Sequence, residues 1–159
     1  MKKIVVSGVN NSGKSTSIKL FFKKLLDSFD EETKVKFFRY GQKQFWNASV
    51  HEILAEWPNV KDFVAVFRID QKTVMGITSF GDSVSLLEDS LNIFESFECT
   101  YAVLACRSEV SSTYKYIQEQ LNNVEPLILK TPTSDSQKLA QNKDDGRVAE
   151  EIHKKIFRI

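Results

Sequence analysis

Two cysteines, two histidines and three prolines among 159 residues are too few for a disulfide framework, a zinc cluster or a proline-rich linker. Cys99 and Cys106 stand seven positions apart in a stretch that reads as one strand; period two then points them to opposite faces, and buried, reduced thiols are expected. An excess of one charge sign is also missing. Twenty-two Lys and Arg meet twenty-one Asp and Glu, a net charge of +1, so no broad nucleic-acid or membrane attraction is expected and any anion site must be local. No apolar run approaches the length of a membrane span. The opening MKKIVVSGV breaks at Ser7 and Gly8, too early for a signal-peptide core, and a cytoplasmic location is expected. Repeats and low-complexity tracts are absent, and 42% hydrophobic residues suit a single domain spanning 1–159.

The hydrophobic periods alternate. Lys2 to Ser7 is a short β-branched run suited to a buried strand, followed from Gly13 by a helix whose apolar stripe is Ile18, Phe21, Phe22, Leu25, Leu26 and Phe29, closing near Asp30. Val35 to Tyr40 reads as a strand, whereas Gly41 to Pro58 has no clean period. Phe63 to Ile69 and Lys72 to Phe80 flank Asp70 and Gln71 as a tight hairpin. Then come a helix on Val84, Leu87, Leu91 and Phe94, a strand from Tyr101 to Cys106, a helix on Val110, Tyr114, Ile117 and Leu121, a last strand from Pro126 to Lys130, and a last helix entered at Asp144 or Asp145. The pattern predicts a three-layer α/β domain with helices on both faces and a mostly parallel sheet carrying one antiparallel hairpin strand. The polar segment Thr131 to Asn142 reads as a long loop that could cover a site.

One motif carries chemistry. Gly8-Val9-Asn10-Asn11-Ser12-Gly13-Lys14-Ser15 follows the first strand, leads into the first helix and fits G-x-x-x-x-G-K-[ST]. Glycines allow a backbone whose N–H groups turn inward at a helix N-terminus, which suits a phosphate chain. With strand before and helix after, the segment resembles the P-loop nucleoside triphosphatase superfamily. That resemblance implies the P-loop fold, binding of ATP or another nucleoside triphosphate, and Mg2+. It also implies roles: Lys14 on the β- and γ-phosphates, the backbone from Gly8 to Ser15 around them, Thr16 supporting the next turn, and Ser15 on the metal.

P-loop proteins also place an Asp at the end of a neighbouring strand to hold a metal-bound water, and Asp82, after Gly81, matches best. Asp82 or Ser83 could equally cap the following helix. Asp70 lies in the hairpin turn, at the wrong end. Residues that follow parallel strands converge on one edge, which nominates Arg39, Tyr40, Arg107, Ser108, Lys130 and Thr131. Arg107, after an unbroken apolar strand, is the candidate transition-state clamp; a solvated ion pair is the alternative. Arg147 on the last helix is a weaker candidate.

Departures from the family's subgroups are informative. Ser83, not Glu, follows Asp82, and the nearest Glu, Glu88, falls on the polar side of a helix, so intrinsic hydrolysis should be slow. The D-x-x-G of GTP switches is missing at Asp82-Ser83-Val84-Ser85, and Asn142-Lys143-Asp144-Asp145 fits N-K-x-D but lies beside a helix start instead of ending a strand. The expectation is a slow Mg2+-dependent ATPase. Two alternatives stay open. One is a nucleotide or metabolite kinase with a small-molecule acceptor over Arg39, Arg107 and the aromatics Phe45, Trp46, His51 and Trp57, rings that could equally cover a sheet edge. The other is a non-catalytic switch that binds a protein partner.

Overall fold

The computed structural model describes residues 1–8, 14–108, 111–129 and 138–157. One seven-stranded sheet organises them: β1 (Lys2–Ser7), β2 (Lys34–Tyr40), β3 (Lys43–Ser49), β4 (Val64–Arg68), β5 (Val74–Thr78), β6 (Tyr101–Cys106) and β7 (Ile128–Leu129), in the order β3-β2-β4-β5-β6-β1-β7. Among the described residues five helices surround it: α1 (Lys14–Asp27), α2 (Val50–Glu56), α3 (Val84–Ser96), α4 (Ser112–Gln120) and α5 (Lys138–Phe157). A 3-10 turn, Trp57–Asn59, follows α2. No helix among the described residues is long and apolar enough to cross a membrane.

The α/β class is as expected, but the sheet is evenly mixed. Pairs β5–β6, β6–β1 and β1–β7 are parallel, while β2–β3, β2–β4 and β4–β5 are antiparallel. Two strands, β3 and β4, run against the rest where one was expected. The additional one is β3, inside the stretch without a period. It is an edge strand with an alternation too weak to read: Lys43, Gln44, Trp46 and Asn47 are all exposed, and Asn47 sits at φ 52. Gly41, at φ 55, supplies the left-handed backbone of the two-residue turn that brings Lys43 opposite Tyr40. Ser49 then closes β3 and caps α2, accepting from Glu52 N at 3.1 Å in a capping box.

Alternate residues of β1 face opposite layers. Ile4 and Val6 pack with Phe21, Phe22 and Leu26 of α1, Ile53 of α2 and Val148 and Ile152 of α5. Val5 packs with Leu87, Leu91 and Phe94 of α3 and Ile117 of α4. Phe22 anchors the first layer, with its ring 5.2 Å from Phe63 and 5.8 Å from Trp57, centroid to centroid. In the second, Gly76 leaves room for the Phe94 ring, which a Cβ would meet at 2.3 Å.

Asp70 compensates for the glycine its hairpin lacks. Its Oδ1 accepts from Lys72 N and Thr73 N, both at 2.8 Å, and these bonds hold its carboxyl below the usual range. The cysteine geometry needs correction: β6 starts at Tyr101, so strand alternation does not extend to Cys99, and both thiols lie free in the α3/α4 layer. The last helix also starts earlier than expected, at Lys138, which makes Asp144 and Asp145 helix-interior residues and turns the end of the expected polar loop into helix.

Candidate functional site

Parallel strands deliver their following residues to one edge, and here the ends of β1 and β6 are tied together. Gly8 N donates to Cys106 O at 3.2 Å, and Ser7 Oγ donates to Arg107 O at 3.1 Å. Arg107 N in turn donates to Thr113 Oγ1 of α4 at 3.1 Å, which fixes the Arg107 backbone over this junction. Of the sequence motif, Val9, Asn10, Asn11, Ser12 and Gly13 lie outside the described residues, as do Lys130 and Thr131. Gly8 ends the strand side, and Lys14, Ser15 and Thr16 open α1.

Lys14 is only 8% exposed, and a cation so placed needs an anionic neighbour. Asp82 supplies it, with Oδ1 3.7 Å from Lys14 Nζ. The same oxygen accepts from Arg107 Nε at 3.0 Å. Lys14, Asp82 and Arg107, nominated separately from the sequence, therefore meet at one carboxylate oxygen. Asp82 does not cap α3: Ser83 is the N-cap residue, and its Oγ lies 2.9 Å from Ser85 Oγ instead of accepting from a backbone N–H of the helix. Nor does Asp82 leave a neighbour of β1, because β6 lies between β1 and β5. It reaches the site because Gly81 crosses close to β6, where a Cβ would stand 2.8 Å from the carbonyl carbon of Ala105.

Ser15 turns to a different carboxylate. Its Oγ lies 3.1 Å from Asp62 Oδ1 and 3.2 Å from Ser79 O. Ser79 Oγ also donates to Asp62 Oδ1, at 2.9 Å, while accepting from Phe63 N at 3.0 Å. Ser15, expected from the sequence to share a metal with Asp82, contacts Asp62 in this structure. The reason is topological. An antiparallel strand enters the sheet at the edge where parallel strands leave it, and Val64 of β4 lies opposite Thr78 of β5. Asp62 just before β4 and Ser79 just after β5 consequently share that edge. The hairpin that put Asp70 at the wrong end was the available signal for Asp62 at the right one. Lys19 buttresses the segment by donating to Val60 O and lying 5.4 Å from the Trp57 ring centroid; burial lowers its pKa, against the opposing charge of Asp62.

The other candidates are engaged elsewhere. Arg39 pairs with Asp89 of α3 at 2.6 Å, and Tyr40 OH donates to Glu56. Arg147 bonds Asp144, Glu151 and Leu129 O, linking α5 to the end of β7. Asp145, the last residue of the N-K-x-D string, is 3% exposed inside α5 and accepts from Ser17 Oγ at 3.0 Å, so it holds α1 to α5. Phe45 and Trp57 pack against the first core layer, while His51 is exposed and Trp46, 62% exposed, lies edge-on to Phe37. The aromatic segment mainly covers the sheet edge.

No protein-family model, no curated protein and no solved structure matches this chain.

The edge thus offers a cationic pair, Lys14 and Arg107, beside an all-oxygen group of Ser15 Oγ, Asp62 Oδ1 and Ser79 O. Oxygen donors of this hardness suit Mg2+ better than a thiophilic metal. Among the described residues there is no cluster of three or more His, Cys, Asp or Glu that would hold an ion by itself.

Proposed function

We propose that this chain binds a magnesium–nucleoside triphosphate, ATP in the first place, and hydrolyses it slowly. The observation that carries this is the split at the start of α1. Lys14 turns to Asp82 and Arg107, and Ser15, the next residue, turns to Asp62 and Ser79, all at the edge where β1 ends. In this reading Lys14 and Arg107 attract and orient the phosphates, the Gly8 to Ser15 backbone surrounds them, and Thr16, exposed on the first turn, flanks the loop. Ser15, with Asp62 and Ser79 behind it, holds the metal side. Mg2+ would neutralise phosphate charge and position the terminal group.

ATP is preferred over GTP because the N-K-x-D string contributes Asp145 to the α1–α5 contact instead of ending a strand. Slow turnover follows from the residues around Asp82: Ser83 follows it, and Glu88 is exposed on α3. The kinase alternative loses two of its supports, since Arg39 is engaged with Asp89 and the rings of Phe45 and Trp57 pack against the core.

Titrating Mg-ATP into wild type and Lys14→Ala tests the reading. Losing a charge-assisted contact should weaken affinity about ten- to hundredfold, with an unchanged circular dichroism spectrum. Equal titrations would overturn it. Radiolabelled ATP separates the outcomes for the reaction: slow release of free phosphate supports hydrolysis, transfer to an acceptor replaces it with the kinase, and retention of intact ATP over hours leaves a switch.

A further inference from the structure

We infer that Asp82 is an internal anion that holds Lys14 and Arg107 in the free protein and must be displaced by an incoming polyphosphate. The inference rests on the nucleotide-binding reading and concerns the control of that same site.

The two carboxylates at the edge are held in different ways. Asp62 is built in, accepting from the Ser15 and Ser79 hydroxyls, with Ser79 1% exposed. Asp82 is held among the described residues by cations: Arg107 Nε at 3.0 Å and Lys14 Nζ at 3.7 Å. Carboxylate and phosphate oxygens accept from the same cationic donors, so Asp82 and a polyphosphate compete for one pair of groups. The construction favours exchange. The side chain of Asp82 is 62% exposed and that of Arg107 41%, so a released carboxylate can rehydrate at once. The backbones stay in place meanwhile, Arg107 through Ser7 and Thr113, and Asp82 through the close passage of Gly81 over Ala105.

Such a closed pair reduces apparent affinity by the fraction of molecules in which the cations are free. It also selects by charge: a ligand has to offer Lys14 and Arg107 more than one carboxylate does, which favours a triphosphate over inorganic phosphate.

The test is isothermal titration of Mg-ATP into wild type, Asp82→Asn, Glu88→Gln, Arg107→Ala and Asp82→Asn/Arg107→Ala. Asp82→Asn should tighten binding about three- to tenfold, the range expected for freeing a site from a partly exposed ion pair. Glu88→Gln removes an exposed acid of α3 and controls for the overall field; its effect should be under about twofold. The gain from Asp82→Asn should shrink when Arg107 is already absent. Weaker binding by Asp82→Asn, an equal gain from Glu88→Gln, or an undiminished gain in the Arg107→Ala background would each overturn the inference while leaving nucleotide binding intact. Absence of binding by wild type and every variant would instead overturn the reading beneath it. Nuclear magnetic resonance of the Arg107 Nε–H group gives a second readout. Its signal should shift on Asp82→Asn and again when tripolyphosphate is added to wild type, and a signal unmoved by either would overturn the exchange.

Discussion

Ser15 Oγ and Asp62 Oδ1, separated by 47 positions in the chain, lie 3.1 Å apart at the first turn of α1. The contact ties the first turn of α1 to the entrance of β4 through a carboxylate the sequence had not singled out. If Ser15 serves a metal, Ser15→Ala should abolish most of the magnesium-dependent part of an ATP-induced thermal shift and leave the shift in EDTA unchanged. Paired melts with Mg2+ and with EDTA check this.

Asp62 should also carry stability. Asp62→Ala removes the acceptor of the Ser79 hydroxyl and a negative charge that acts on Lys19, and urea unfolding should show a loss of about 1–3 kcal/mol. Asp62→Asn keeps an acceptor and should recover most of that loss while still lowering the magnesium dependence.

Gly81→Ala puts a methyl carbon 2.8 Å from backbone and side-chain atoms of Ala105, which cannot yield as a flexible side chain would. The cost should be about 1–3 kcal/mol, and because Asp82 is the next residue, its contact with Arg107 should be lost. Gly76→Ala, which meets the Phe94 ring at 2.3 Å, should destabilise similarly but leave the Arg107 Nε–H signal in place. Urea melts together with that signal separate the two.

Burial pushes the Cys99 thiol from 9.0 up to about 12 and raises Cys106 as well. Neither should alkylate with iodoacetamide at pH 8 in the folded protein, and both should after unfolding. The linkage has a sign: between 9.0 and about 12 the unfolded Cys99 thiol has lost its proton and the folded one has kept it. Its contribution to stability is fully present below pH 9 and should fall as pH rises toward 12, as urea midpoints across that range would show.

Ser17→Ala should loosen the α1–α5 contact by removing a hydrogen bond to the buried Asp145. A loss of about 1–2 kcal/mol is expected, along with faster amide exchange in α5. Stability of this kind belongs to the helix pair, so Mg-ATP affinity should change little.

Much of the architecture could be read along the chain because its signals are local. The α1 stripe from Ile18 to Leu26 and the β1 and β6 runs have strong periods, and the structure places them where the periods did. The β3–α2 segment was not legible: its edge strand faces solvent with Lys43, Gln44, Trp46 and Asn47, leaving no alternation. A signal did exist at Ser49-Val50-His51-Glu52, the capping-box spacing that opens α2.

Residue types and their spacing settled that Lys14 and Ser15 begin the helix that comes next after a buried strand, since both elements follow from short-range pattern and turn chemistry. Which carboxylate each of them meets was beyond any pattern. Strand order and direction, β4 antiparallel and β6 between β1 and β5, brought Asp62 to Ser15 and Asp82 to Lys14. Those pairings depend on how distant segments share one sheet edge, and a linear period carries no information about distance between strands.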